Sequence, residues 1–223
     1  MSGRHFFWLD GDKTVAASQK DYESLHSLEI RGWKGNKLTK VKLTDSNVVE
    51  VDGIRFETVM PERVLTIPEN LSSSYTPVQF GIQVTNLSLF PYRFLFFHLL
   101  PELIAASGQK IQRGYGRNAT RYPKLSDFYW LQPGEHFTFF LNGKLCWYEA
   151  ELTLSGRDKS GGIWTFHNLK PGKYKVWFLY ENQKATKEIQ RGEDKGAKVE
   201  YLWVGSVSTP FLEFCLINVL PSE

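Results

Sequence analysis

The chain has 223 residues, enough for one large domain or a domain with a smaller appendage. Hydrophobic residues make up 42% and charged residues 23%, a globular balance that excludes wholesale disorder. The formal charge of +3 is too small to indicate a nucleic-acid partner by itself, so only local clustering of charge carries information.

Sixteen Phe, ten Tyr and seven Trp favour pleated, half-buried surfaces and hence a β-rich fold. Residues Met1 to Asp10 hold a short apolar patch without the longer apolar region and small-residue cleavage site of a secretory signal. The run from Leu87 to Leu103 comes nearest to the roughly 20 apolar residues of a membrane span. Pro91, Arg93, His98 and Pro101 interrupt it. A cytoplasmic location is expected, in which the sequons at Asn70, Asn86 and Asn118 carry no weight.

Residues 1–58 contain β-like pieces at Phe6 to Leu9, Leu28 to Trp33, Leu38 to Leu43, Val48 to Val51 and Ile54 to Val59. A helical turn is expected from Gln19 to Leu28. This part is a small β-rich segment or subdomain, and 59–223 form a second unit with a more regular pattern. There, Arg63 to Pro68 and Val78 to Thr85 are expected strands, the latter alternating with period two. Tyr92 to Phe97 is a further strand, and Pro101 to Ala106 a short helical turn. Gln109 to Asp127 is polar and without a period.

A turn at Leu131-Gln132-Pro133-Gly134 precedes a strand from Glu135 to Phe140. Asn142-Gly143 carries the strongest hairpin signal, because both central residues of a type I′ turn need positive φ. Leu145 to Leu154 would be the returning strand, followed by a loop from Ser155 to Gly162 and strands at Ile163 to Phe166 and Lys175 to Tyr180. Glu181 to Lys198 is an exposed excursion, and Val199 to Val204 and Phe211 to Val219 close the pattern. Short strands at this spacing, broken by Pro and Gly, indicate an antiparallel β-sandwich.

Three motifs carry a resemblance: Leu131-Gln132-Pro133-Gly134-Glu135, Leu169-Lys170-Pro171-Gly172-Lys173-Tyr174, and Leu202-Trp203-Val204-Gly205. In that order they resemble bacterial immunoglobulin-like domains, in which a Pro-Gly turn delivers a Tyr into a central strand. The resemblance covers about Val59 to Val219 and implies a mainly β, immunoglobulin-like sandwich with an additional N-terminal β-rich segment. It also implies a structural corner at Pro171, Gly172 and Tyr174, with the hydroxyl bonded back and the ring packed inside. A narrower likeness to bacterial intracellular proteinase inhibitors of sandwich fold rests on the Pro-Gly-Glu and Pro-Gly-x-Tyr pieces. This chain is longer, and no inhibitory loop is identified in it.

The five histidines stand singly and the two cysteines are far apart, so no metal site or cofactor is indicated. Cys146 and Cys215 are compatible with an inter-sheet disulfide or with two buried thiols, which a reducing compartment favours. Cys146 with His136 across the expected hairpin is the nearest approach to a nucleophilic pair. Leu145 and Trp147 beside Cys146 favour an inert thiol instead. Glu149 and Glu151, placed on one strand face, and Asp158 are read as solvated. No nucleophile elbow, phosphate loop or dinucleotide fingerprint occurs, so neither an enzyme nor a small-molecule substrate is expected.

One charge feature stands out. Lys110, Arg113, Arg117, Arg121 and Lys124 occur without an acidic residue between them, interleaved with Tyr115 and Tyr122 and loosened by Gly114 and Gly116. Such a loop suits an anionic polymer, an anionic membrane surface or an acidic protein, and suits equally a solvated connection. The expected function is a non-catalytic module that binds another protein. The alternatives are an intracellular protease inhibitor, or contact with anionic polymer or membrane through 110–124.

Overall fold

A computed structural model describes residues 5–10, 13–18, 29–34, 37–44, 48–71, 73–117 and 121–218, with side chains from Val48 onward. The expected helical turn at 19–28 lies outside these residues. The first strands are β1 (His5–Asp10), β2 (Lys13–Ser18), β3 (Glu29–Lys34), β4 (Lys37–Thr44), β5 (Val48–Val51) and β6 (Ile54–Val59). Next come β7 (Val64–Thr66), β8 (Tyr75–Asn86), β9 (Tyr92–Leu95), β10 (Pro101–Ala105), β11 (Lys110–Ile111) and β12 (Arg113–Gly116). After a 3-10 turn at Leu125–Asp127 follow β13 (Phe128–Leu131), β14 (His136–Tyr148), β15 (Glu151–Arg157), β16 (Ile163–Phe166) and β17 (Gly172–Asn182). The last are β18 (Lys187–Glu188), β19 (Lys198–Val199), β20 (Gly205–Ser208) and β21 (Leu212–Ile217).

These strands build a mainly β sandwich. Its larger sheet runs β12–β16–β15–β14–β8–β6–β5–β4–β3, and its smaller sheet β11–β10–β17–β21–β7 with β20 also on β17. Among the described strands, ladder pairing is antiparallel except between β7 and β21, where Val64 lies beside Cys215 in parallel. Period-two alternation fixes which side chains meet between the sheets. Phe56, Phe80, Ile82 and Val84 from the larger sheet face Tyr174, Val176, Phe178 and Tyr180 from β17, all of them buried. Phe80 stacks obliquely on Phe178 at 6.0 Å, and Phe56 on Trp203 at 5.1 Å between ring centroids. The division at residue 58 falls within β6, whose Ile54 and Phe56 are fully buried in this shared core.

The Tyr174 corner forms as the motif implies. The Tyr174 hydroxyl accepts from Lys170 N–H and donates to Lys170 C=O, both at 2.9 Å, while the ring stacks on Phe214. Gly172 supplies the positive φ, +143°, that lets the chain enter β17.

Several local expectations are corrected. Pro101–Ala105 is a strand and not a helical turn, because Leu103 drops into the core opposite Val176 and Pro101 sits at the strand's first position. Asn142-Gly143 makes no turn, since β14 runs through it without a break. Trp164, Gly156 and Gly143 are cross-strand neighbours, and the buried indole lies over both glycines. A Cβ at Gly143 would stand 2.8 Å from Trp164 Cη2, and one at Gly156 2.2 Å from Trp164 Cζ2. Gly143 thus makes room for a ring. The hairpin falls instead at Glu149-Ala150, with φ of 48° and 64°, so Leu145 to Leu154 spans two strands and their turn.

The excursion at 181–198 is also more than exposed connection. It lays Ile189 against Phe128, Val199 and Leu202, covering the outer face of the β9–β13 pair with a small second cluster. The expected closing strand at Val199 to Val204 is reduced to the end of β19 and a parallel bridge between Leu202 and Arg93. Among the described residues, no helix is long and apolar enough to cross a membrane.

Candidate functional site

The basic segment is not the periodless loop that its composition suggests. Residues 110–111 pair with β10 in the smaller sheet, and residues 113–116 pair with β16 in the larger one. The chain therefore changes sheets at Gln112 and closes one side of the sandwich. An open groove of about 300 Å³ lies at this crossing, lined by Ile111, Gln112, Arg113, Gly114 and His167.

Most of the predicted contact residues are held by the protein itself. Lys110 Nζ is 3.0 Å from Glu102 Oε2, and Arg113 Nη1 donates to Glu102 Oε1 at 2.6 Å and to Pro101 C=O at 2.8 Å. Lys124 Nζ donates to Glu193 Oε2 at 2.6 Å, a bond that raises the ammonium above its ordinary pKa. Asp194 accepts from Leu125 N–H beside it at 2.8 Å. The segment lacks acids in sequence and acquires them in space.

The two tyrosines are engaged as well. Tyr122 accepts from Arg191 Nη1 at 2.8 Å, with the guanidinium 5.4 Å from its ring centroid. The Tyr115 hydroxyl donates to Asp158 Oδ2 at 2.9 Å, and its ring covers Gly162, where a Cβ would collide with it. Asp158 is buried, not solvated. It also accepts from Gly162 N–H at 2.7 Å and lies 2.8 Å from Ser160 Oγ.

Arg117 and Arg121 are different: both are exposed, and among the described residues neither has an acidic partner. Arg121 is anchored through its backbone N–H, which donates to Ser160 C=O at 3.0 Å. Two exposed residues that the sequence did not single out, His98 between β9 and β10 and Lys187 on β18, interact electrostatically with each other, and His98 also with Arg117. Although His98 is exposed by surface area, partial desolvation draws its imidazole below the ordinary pKa; Asp158 opposes this, and the charges of Arg117 and Lys187 reinforce it. Lys187 is exposed as well, and partial desolvation draws its ammonium down. No local sequence signal links these positions, which lie far apart along the chain.

The nucleophilic pair does not form. Cys146 and His136 stand ten positions apart on the continuous strand β14, or about 33 Å at strand rise. Cys146 and Cys215 are both free and half-buried. Glu149 lies in the turn, off the strand face that would pair it with Glu151. Among the described residues, no group of three His, Cys, Asp or Glu side chains is placed to hold a metal ion.

A second surface lies at the end of the sandwich where β8 finishes. Asn86 is fully buried, and its Nδ2 donates to Phe90 C=O at 2.8 Å and Leu131 C=O at 3.0 Å. Its Oδ1 accepts from Ser88 N–H at 3.0 Å. Leu87 N–H donates to Gly53 C=O at 2.7 Å, and Gly134 N–H to Asn86 C=O at 2.6 Å, tying the loop to two neighbouring turns. On this fixed loop Leu89 is 87% exposed and Phe90 66%. Just along β9, Arg93 lies over Trp130 at 4.6 Å, and Tyr201 meets the same indole edge-on at 6.0 Å. Comparison with protein-family models, curated proteins and solved structures finds no match for the chain.

Proposed function

We propose that the protein is a non-catalytic protein-interaction module of the cytoplasm, built on an immunoglobulin-like sandwich and docking through the apolar tip Leu87–Phe90. The observation that carries this is the exposure of Leu89 and Phe90 on a loop that the buried Asn86 side chain holds in shape. Large apolar side chains presented to water on a preformed loop lose little entropy when a partner covers them. Each contributes roughly 1.5–3 kcal/mol on full burial. The neighbouring Arg93, Trp130 and Tyr201 are the residue types that dominate binding energy in protein interfaces. The fitting partner is a protein with an apolar pocket. The immunoglobulin-like reading is supported by the Tyr174 corner and by the sheet order in which β10, β17 and β21 adjoin.

A photo-crosslinking side chain placed at position 89, compared with one at the also exposed Tyr148, tests this. Tyr148 is twelve positions further along β14 than His136, at the opposite end of the sandwich. A partner captured from position 89 alone, and lost in the L89D/F90D variant, is the expected result. Capture of the same proteins from both positions would overturn the proposal.

A further inference from the structure

We infer that Arg93, held on the face of Trp130, gives the apolar tip its specificity, and that the partner docking there carries a carboxylate beside its apolar contact. The inference rests on the docking role proposed for Leu89 and Phe90 and names the chemistry of what they meet. Its first support is a set of contacts. Arg93 and Trp130 are directly opposed on β9 and β13, and the guanidinium carbon lies 4.6 Å from the indole centroid. Arg93 is also fixed from its other side. Its N–H donates to Tyr201 C=O at 2.8 Å, and its C=O accepts from Trp203 N–H at 3.0 Å. Tyr201, 62% exposed, meets Trp130 edge-on at 6.0 Å.

The second support is continuity with the tip. Asn86 Nδ2 bonds to both Phe90 C=O and Leu131 C=O, which draws the loop against the residue next to Trp130. Tyr92, one position before Arg93, is opposed to that same Leu131. Three steps of chain separate Phe90 from Arg93, a reach of at most about 10 Å. One partner surface of ordinary size, about 800 Å², covers both.

The third support is charge complementarity. Among the described residues the Arg93 guanidinium meets no carboxylate and no hydrogen-bond acceptor; its contact is the Trp130 ring. Stacking uses the flat face of a guanidinium and leaves its N–H edges for a carboxylate to engage in bidentate fashion. It also orders a long side chain before binding, so less rotamer freedom is lost when a partner arrives. At the other end of the loop stands the exposed Glu135, whose C=O accepts from Asn86 N–H at 2.9 Å. The tip thus has a cation at one end and an anion at the other, a polarity that fixes the orientation of an acidic, apolar peptide. Anionic lipid fits less well. Headgroup attraction accumulates over several basic side chains, whereas 86–93 and 130–135 together hold one Arg and one Glu.

The test pans a phage-displayed library of random linear peptides on the full chain, on R93E and on L89D/F90D. Wild type should enrich apolar residues with an Asp or Glu at a fixed spacing. R93E should keep the apolar residues and exchange the acid for Lys or Arg, and L89D/F90D should enrich neither. The strand bonds of Arg93 come from its backbone, so these side-chain variants retain the fold, which an unchanged melting curve checks. With the best wild-type peptide made synthetically, R93A should weaken binding about tenfold, or about 1.4 kcal/mol. Converting the peptide's acid to its amide should cost about tenfold on wild type and nothing on R93A. Peptides without an acid, selected alike by wild type and R93E, overturn the inference and leave the docking role of the tip standing. No enrichment by wild type, or enrichment undiminished in L89D/F90D, overturns both. Binding to phosphatidylserine vesicles that L89D/F90D abolishes, without any enriched peptide, assigns the tip to a membrane and likewise overturns both.

Discussion

The Tyr115 hydroxyl donates to the buried Asp158 carboxylate at 2.9 Å and ties the edge strand β12 to the turn after β15. Replacing Asp158 with Ala leaves Tyr115, Ser160 and Gly162 N–H without their shared acceptor. Hydrogen bonds to a charged group contribute about 1.5–3 kcal/mol each, and a buried donor left alone costs a similar amount. D158A should therefore lose about 3 kcal/mol or more in urea denaturation, and Y115F about 1–2 kcal/mol. Equal stability of D158A and wild type would show that the turn is held by something other than this carboxylate.

Gly143 and the Glu149-Ala150 turn make opposite predictions from neighbouring positions. G143A forces a methyl into the space of the Trp164 indole and should destabilise by about 1–3 kcal/mol, with a change in tryptophan fluorescence. Glu149 and Ala150 both hold positive φ, which disfavours their side chains. E149N/A150G supplies the residues a type I′ turn prefers and should raise the unfolding midpoint by an amount worth about 0.5–1 kcal/mol. A glycine tolerant of Ala at 143, with no gain at 149–150, would place the turn at Asn142-Gly143 after all.

Tyr180 predicts alkaline instability. Burial raises its hydroxyl well above the ordinary tyrosine value, and the contact with Leu95 N–H at 3.4 Å is too long to offset this. The folded pKa lies above the unfolded one, so the associated stability is complete below the unfolded value near 10. It then falls as pH rises through the window above 10, by up to about 1.4 kcal/mol per pH unit from this group. Y180F should be close to wild type at pH 7 and clearly more stable at pH 11. Parallel stability curves for the two proteins from pH 7 to 11 would count against it.

Much of the fold was legible in the sequence where its cause is local. The Pro171-Gly172 turn and Tyr174 hydroxyl close within five residues, and the alternation at 78–85 reappears in the burial of β8 except at Gly81, which is buried between Phe80 and Ile82. The Asn142-Gly143 signal was equally local and misled, because the demand on Gly143 comes from an indole two strands away. Glu149-Ala150 has no turn chemistry to announce it; tertiary pairing of β14 with β15 imposes its conformation. The basic segment misled for the same reason. Its acidic partners, Glu102 and Glu193, are supplied from outside the segment.

The parallel pairing of β7 with β21 sets a timetable for synthesis. Thr58 and Thr209 form a buried hydrogen bond at 2.6 Å across 151 residues, and β7 finds its sheet partner at a comparable separation. While the chain is being made, β7 and the exposed flank of β17 wait without neighbours until residues 212–217 have left the ribosome. Such late, non-local closure makes folding slow and leaves strand edges open in the nascent chain. Chains released before residue 212 are therefore expected to aggregate through these open edges.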